Sequence, residues 1–96
     1  QECSAPMGAV FYDTPTIVYV REDMDFVADK FAQSILFHEY IHVLQHLRNP
    51  NLSYECEARQ EREFEALHHQ KLYAAKLGVD PMKLMGMELH YREMCG

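Results

Sequence analysis

The apolar positions of this chain follow two different periods, and the change falls near residue 25. Before that point, AVFY and TIVYV are β-branched and aromatic runs separated by Asp13, Thr14 and Pro15, which is typical of two short strands with a tight connection. After it, apolar residues recur at helical spacing. The pattern therefore predicts an α+β fold in which a short β-hairpin is followed by helices.

Breaks in the second part of the pattern divide it into three helices. The first is predicted to run from about 25 to 47, where the sequence NPN disfavours further helix. Ser53 is a candidate N-cap for the second helix, which ends near Gly78, a residue suited to the left-handed C-terminal position. The third is predicted from about 81 to 94, with Asp80 as its N-cap and proline at its first position.

The sequence HEYIH lies at residues 38–42, inside the apolar segment SILFHEYIHVLQHL. On a helix, His38 and His42 project from one face and can share a metal ion, while Glu39 is directed toward a water on that metal. Because the helix is apolar on nearly all sides, it should be buried, and buried polar side chains need a partner. The alternative interpretation is two core histidines satisfied by backbone groups or carboxylates.

A catalytic zinc site needs three protein ligands and a water, so a third ligand must be found. His46 continues the histidine row, but the eight residues from the first histidine span about 12 Å of helix rise, too far for one ion. The metzincin pattern requires Gly and His where this chain has Gln45 and Arg48. A carboxylate from the acidic stretch SYECEARQEREFEAL remains.

The combination of HEYIHVLQ with ECEAR resembles the gluzincin branch of the zincins, particularly the minigluzincins and related bacterial and phage zincins. In those families the third ligand is a Glu that opens an ExxA pattern on the second helix. The resemblance assigns this role to Glu55, with Ala58 packing against the first helix. Glu57 is the competing ligand and points about 200° around the helix from it. Arg59 is a departure, because relatives often carry Asp or Asn there.

The length of 96 residues predicts one domain over residues 1–96, and the resemblance, which covers roughly residues 8 to 75, implies a zincin-like minimal domain with a central buried active-site helix. The resemblance also implies a zinc ion bound by His38, His42 and Glu55. Glu39 would then be the general base in hydrolysis of a peptide or protein substrate. The alternative is a non-catalytic zincin-like domain that binds zinc for regulation or interaction.

Two further parts of such an enzyme are expected without being assigned. The strand at 16–20 either pairs with an extended peptide along the cleft or belongs to a plain core hairpin. A donor for the oxyanion is commonly Tyr or His in gluzincins. The residues with suitable chemistry are Tyr91, His90, His68, His69 and Tyr73.

Composition narrows the classes of partner and compartment. The formal charge is −6, which argues against a nucleic-acid partner. The sequence contains no run of 18 apolar residues, so no membrane span is predicted. Cys3 and Cys95 could pair if the termini are adjacent, which would leave Cys56 free, or all three could be reduced. The chain begins at Gln1, which is compatible with a removed N-terminal segment, so a cytoplasmic and a secreted location both stay open.

Overall fold

The computed structural model describes residues 10–13, 17–20 and 25–96. Its helical elements are, in chain order, α1 (Lys30–Arg48), α2 (Cys56–Leu77), a 3₁₀ turn (Pro81–Leu84) and α3 (Met85–Glu93). Two strands, β1 (Val10–Asp13) and β2 (Ile17–Val20), pair antiparallel with each other. Within these ranges, no helix is long and apolar enough to cross a lipid bilayer.

The predicted α+β, zincin-like class is wrong, because the described chain is predominantly helical. The two longest helices contain 19 and 22 residues, and every member of the buried apolar cluster comes from a helical element. The strands are four residues each and have no third neighbour in the described ranges, so their two-stranded sheet is small beside the helices. The β-branched runs indicate extended backbone locally, but they do not specify the size of a sheet.

The first helix begins later than its apolar pattern predicts, because Asp25 starts a turn of its own. Its Oδ1 accepts hydrogen bonds from the backbone of Val27 and Ala28. Asp29 is the N-cap of α1, and its Oδ1 accepts from the amide of Ala32. The helix therefore begins about five residues after the predicted start, while its end lies at the predicted place.

The helices α1 and α2 are antiparallel neighbours, and α3 packs against α2. Gln70 contacts His38 near the middle of α1, whereas the carbonyl of Arg62, earlier in α2, contacts Gln45 near the end of α1. Tyr91 of α3 belongs to the buried cluster between the helices and is 2% exposed. The remaining cluster members are Ile35, Leu67, Ala74, Leu84 and Met87. This arrangement directs the histidine face of α1 toward α2 and α3.

A disulfide joins Cys56, at the start of α2, to Cys95, just after α3, with their Cα atoms 5.7 Å apart. The predicted pairing of Cys95 with Cys3 is therefore wrong, as is the alternative of three reduced thiols. Cys3 itself lies outside the described residues. The bond fixes the C-terminal end of α3 against the N-terminal end of α2.

Candidate metal centre

Three potential metal ligands converge between α1 and α2. The Nε2 atoms of His38 and His42 lie 3.1 Å apart, since one helical turn separates the two residues. Oε1 of Glu63 lies 2.9 Å from the first nitrogen and 3.0 Å from the second. In the described part of the chain, these residues form the one group of three or more ligand-type side chains close enough to hold an ion.

Nδ1 of His42 is hydrogen-bonded to Gln45, and this contact fixes the tautomer of the ring. The amide nitrogen of Gln45 donates to the carbonyl of Arg62 at 3.0 Å and to the carboxylate of Glu65 at 2.7 Å, groups that can only accept. The amide oxygen must therefore face the ring. It accepts from Nδ1–H of His42 at 2.8 Å, so a neutral ring presents a lone pair at Nε2.

The same logic applies to His38 through Gln70 and Ser34. The Ser34 hydroxyl donates to the carbonyl of Phe31 at 2.7 Å, so its oxygen accepts from the amide nitrogen of Gln70 at 3.1 Å. The amide oxygen of Gln70 then accepts from Nδ1–H of His38 at 2.9 Å. Both rings therefore direct an Nε2 lone pair at the same point.

The charges of the group favour a cation at that point. Burial lowers the pKa of His38, which keeps its imidazole neutral. Burial opposes ionisation of Glu63, but hydrogen bonds and charge from His38 and His42, when a proton lies between them and the carboxylate, outweigh burial and hold the pKa of this carboxyl well below its usual range. Two neutral nitrogens and a carboxylate oxygen about 3 Å apart repel one another unless a proton or a metal ion lies between them. The donor set therefore fits a divalent metal.

Glu39 adds a second buried carboxyl group directly after His38. It is 0% exposed, and neither of its oxygens has a hydrogen-bond partner among the described residues. Burial, followed by the charge of Glu63, raises the pKa of Glu39 to about 9. An unpaired buried acid is destabilising, and such groups are concentrated at functional sites.

Glu63, and not the predicted Glu55, is the carboxylate that lies beside His38 and His42. His42 lies six residues before the end of α1, so in an antiparallel pair it faces a residue at similar depth in α2, and Glu63 is the eighth residue of that helix. Glu55 is the exposed N-cap of α2, about 12 Å along the axis from Glu63. The competing candidate, Glu57, is also exposed. The structure thus brings neither predicted carboxylate to the histidines.

A sequence signal for Glu63 did exist. The ExxA pattern occurs twice, once from Glu55 to Ala58 and once from Glu63 to Ala66. Ala66 is fully buried, as expected of a small residue at a close helix contact, whereas Ala58 is only partly buried. The amides that orient the two rings have no comparable signal, because glutamine is usually a surface residue.

Of the candidate oxyanion donors, Tyr91 is the one that lies at the cluster. Its hydroxyl oxygen is 3.4 Å from Nε2 of His38, and the two rings are stacked with centroids 5.9 Å apart. Tyr73 instead stacks on Phe37 with a centroid distance of 4.5 Å. The other candidates, His68, His69 and His90, are exposed.

Comparison with models of protein families, with curated proteins and with solved structures finds no match to this chain.

Proposed function

We propose that this chain is a zinc-dependent peptidase whose metal ligands are His38, His42 and Glu63. The observation that carries the proposal is the convergence of two tautomer-fixed Nε2 lone pairs and one carboxylate oxygen within 2.9 to 3.1 Å of one another. Ligand atoms of one tetrahedral zinc at about 2.0 to 2.1 Å lie roughly 3.3 Å apart, a few tenths of an ångström more than here. Two imidazoles and one carboxylate are a donor set typical of catalytic rather than structural zinc.

A bound zinc ion supplies Lewis acidity, which polarises a substrate carbonyl and makes water a competent nucleophile near neutral pH. Glu39 is the residue that this chemistry needs as a base. Its pKa of about 9 reflects burial without a nearby cation, and a positive charge beside it favours the ionised form. Ionised Glu39 takes the proton of the attacking water and delivers it to the leaving amine.

Tyr91 supports the same reaction from α3. Its hydroxyl lies beside Nε2 of His38, next to the atoms that would hold the ion. A phenol is a hydrogen-bond donor, and a donor placed where negative charge develops stabilises the transition state. We therefore assign Tyr91 as the oxyanion donor.

A specific observation favours the second candidate, an interaction or regulatory domain with a structural zinc. The side chains of His38 and His42 are 0% and 2% exposed and that of Glu63 is 13% exposed, so the site is nearly closed. A structural site gains nothing from Glu39, however, because a buried base without a partner only opposes folding. This residue is the reason for preferring the peptidase.

Zinc content and turnover of the same purified variants test the proposal. Wild-type protein and Glu55→Ala should each contain one zinc per chain, whereas Glu63→Ala and His42→Ala should lose it. Glu39→Gln should keep the zinc and lose cleavage of a broad peptide panel, since an amide cannot accept the proton. Retention of zinc by Glu63→Ala would refute the ligand set. Zinc binding without cleavage in the wild type would establish the structural alternative.

A further inference from the structure

Nδ1 of each ligand histidine is hydrogen-bonded to a glutamine, and the amide group of that glutamine is oriented by other acceptors. We infer that Gln45 and Gln70 are positioning residues, which keep both imidazoles in the tautomer and orientation that present Nε2 to the metal. The inference rests on the proposed metal site and extends it to residues that do not touch the ion. Partners of this kind commonly change metal affinity about 10- to 100-fold when removed.

The two glutamines are buried to 1% and 0% exposure, so their amides cannot exchange these partners for solvent. Gln45 connects His42 to Glu65, which also forms an ion pair with Arg48 at 3.0 Å on the surface. Gln70 connects His38 to the hydroxyl of Ser34 inside the helix pair. The two connections therefore differ in what lies beyond the amide nitrogen.

That difference allows a test by conservative substitution. In Gln70→Glu, the new oxygen faces the Ser34 hydroxyl, which can rotate and donate to it, so the carboxylate still accepts from His38. In Gln45→Glu, the new oxygen faces the Arg62 carbonyl and the Glu65 carboxylate, neither of which can donate. Glutamate should therefore preserve the orientation of the histidine ring at position 70 and lose it at position 45.

The experiment measures Zn²⁺ affinity by competition with a chromophoric chelator, and Co²⁺ absorption as a report on coordination geometry. Gln45→Leu and Gln70→Leu should each bind Zn²⁺ about 10- to 100-fold more weakly than wild type. Gln70→Glu should bind at least as tightly as wild type, while Gln45→Glu should bind as weakly as its leucine variant. Ser34→Ala keeps Gln70 but removes the acceptor that orients it, so an intermediate loss is expected.

Gln33→Leu is the matched control. This α1 residue donates from its amide to the carbonyl of Phe26 and has no contact with a ligand histidine in the described ranges, so its loss should leave Zn²⁺ affinity unchanged. Circular dichroism of the metal-free variants checks that each is folded. If Gln70→Leu does not fold, Ser34→Ala tests the connection to His38, and if Gln45→Leu does not fold, Gln45→Glu tests the connection to His42.

The outcomes separate this inference from the proposed function. If the wild type binds Zn²⁺ and the leucine variants bind equally well, the positioning role is overturned while the ligand set stands. If glutamate behaves alike at both positions, the tautomer argument is wrong. If the wild type itself binds neither Zn²⁺ nor Co²⁺, the metal site fails and the positioning role fails with it.

Discussion

Glu39 should make the metal-free protein less stable as the pH rises, and Glu39→Gln should remove this dependence. The carboxyl is 0% exposed without a hydrogen-bond partner among the described residues, and its pKa is raised from 4.5 to about 9. Glutamine has nearly the same shape and cannot ionise. The substitution therefore isolates the free energy of keeping an acid in this position.

The sign and size follow from linkage between protonation and folding. Because the pKa in the folded chain lies above the unfolded value, stability is greatest below about pH 4.5 and falls as the pH rises toward about 9. The slope is about 1.4 kcal/mol per pH unit between these limits. At pH 7 the wild type should be on the order of 3 kcal/mol less stable than Glu39→Gln, and at pH 5 less than about 1 kcal/mol.

Urea unfolding of both metal-free proteins, followed by circular dichroism from pH 5 to 8 with a chelator present, measures this difference. Other titrating groups are the same in the two proteins, so the difference between their unfolding free energies reports on Glu39. Glu57→Gln, at an exposed position of α2, is the control and should follow the wild type. A Glu39→Gln difference that stays constant across this range would refute the assignment of a buried, unpaired acid.

Three further predictions concern the scaffold. Replacing Cys56 and Cys95 by serine should lower the unfolding free energy by about 4 kcal/mol, since the bond closes a 39-residue separation; unchanged urea midpoints would contradict this. Gly78→Ala should lower the unfolding free energy by about 1 kcal/mol, because the φ of Gly78 is 81°. Gly86→Ala should raise it by about 0.5 to 1 kcal/mol, because Gly86 lies inside α3 with open space around a Cβ. Equal thermal shifts for the two variants would contradict this. Asp29→Ala should cost about 1 kcal/mol through the lost N-cap, visible as reduced helicity on heating, and an unchanged melting curve would count against it.

Local chemistry predicted the helices well and the fold class poorly. The C-terminal signal at Gly78 and the cap formed by Asp80 were both confirmed, because each depends on a few neighbouring residues. The class was wrong because the two predicted strands, which do pair, are only four residues each beside helices of 19 and 22 residues, and a β-branched run does not encode how large its sheet will be. The start of α1 was displaced by the turn at Asp25, whose side chain competes with the helix for backbone donors.

The candidate site was predictable as far as the helical spacing within one element. His38 and His42 meet because residues four apart share a face, and that requires no tertiary information. Which carboxylate becomes the third ligand depends on the register of the two antiparallel helices. The ExxA motif at Glu55 does not encode that register, whereas the depth of His42 in α1 bears on it directly. His42 lies six residues before the end of α1 and Glu63 lies seven residues after the start of α2, so the two are at similar depth from the connection. Gln70 lies 32 residues from His38, so no local pattern links them.

The carboxyl groups of the site also affect the stability of the fold. The buried carboxyl group of Glu39 and the partly buried carboxyl group of Glu63 lie in one helix pair, and burial opposes the ionisation of each of them. A bound dication would compensate for both, so part of its binding free energy would appear as folding free energy. Until it binds, the helices must be held by other means. The Cys56–Cys95 bond provides such a constraint, because it fixes α3, and with it Tyr91, against α2 whether or not metal is present.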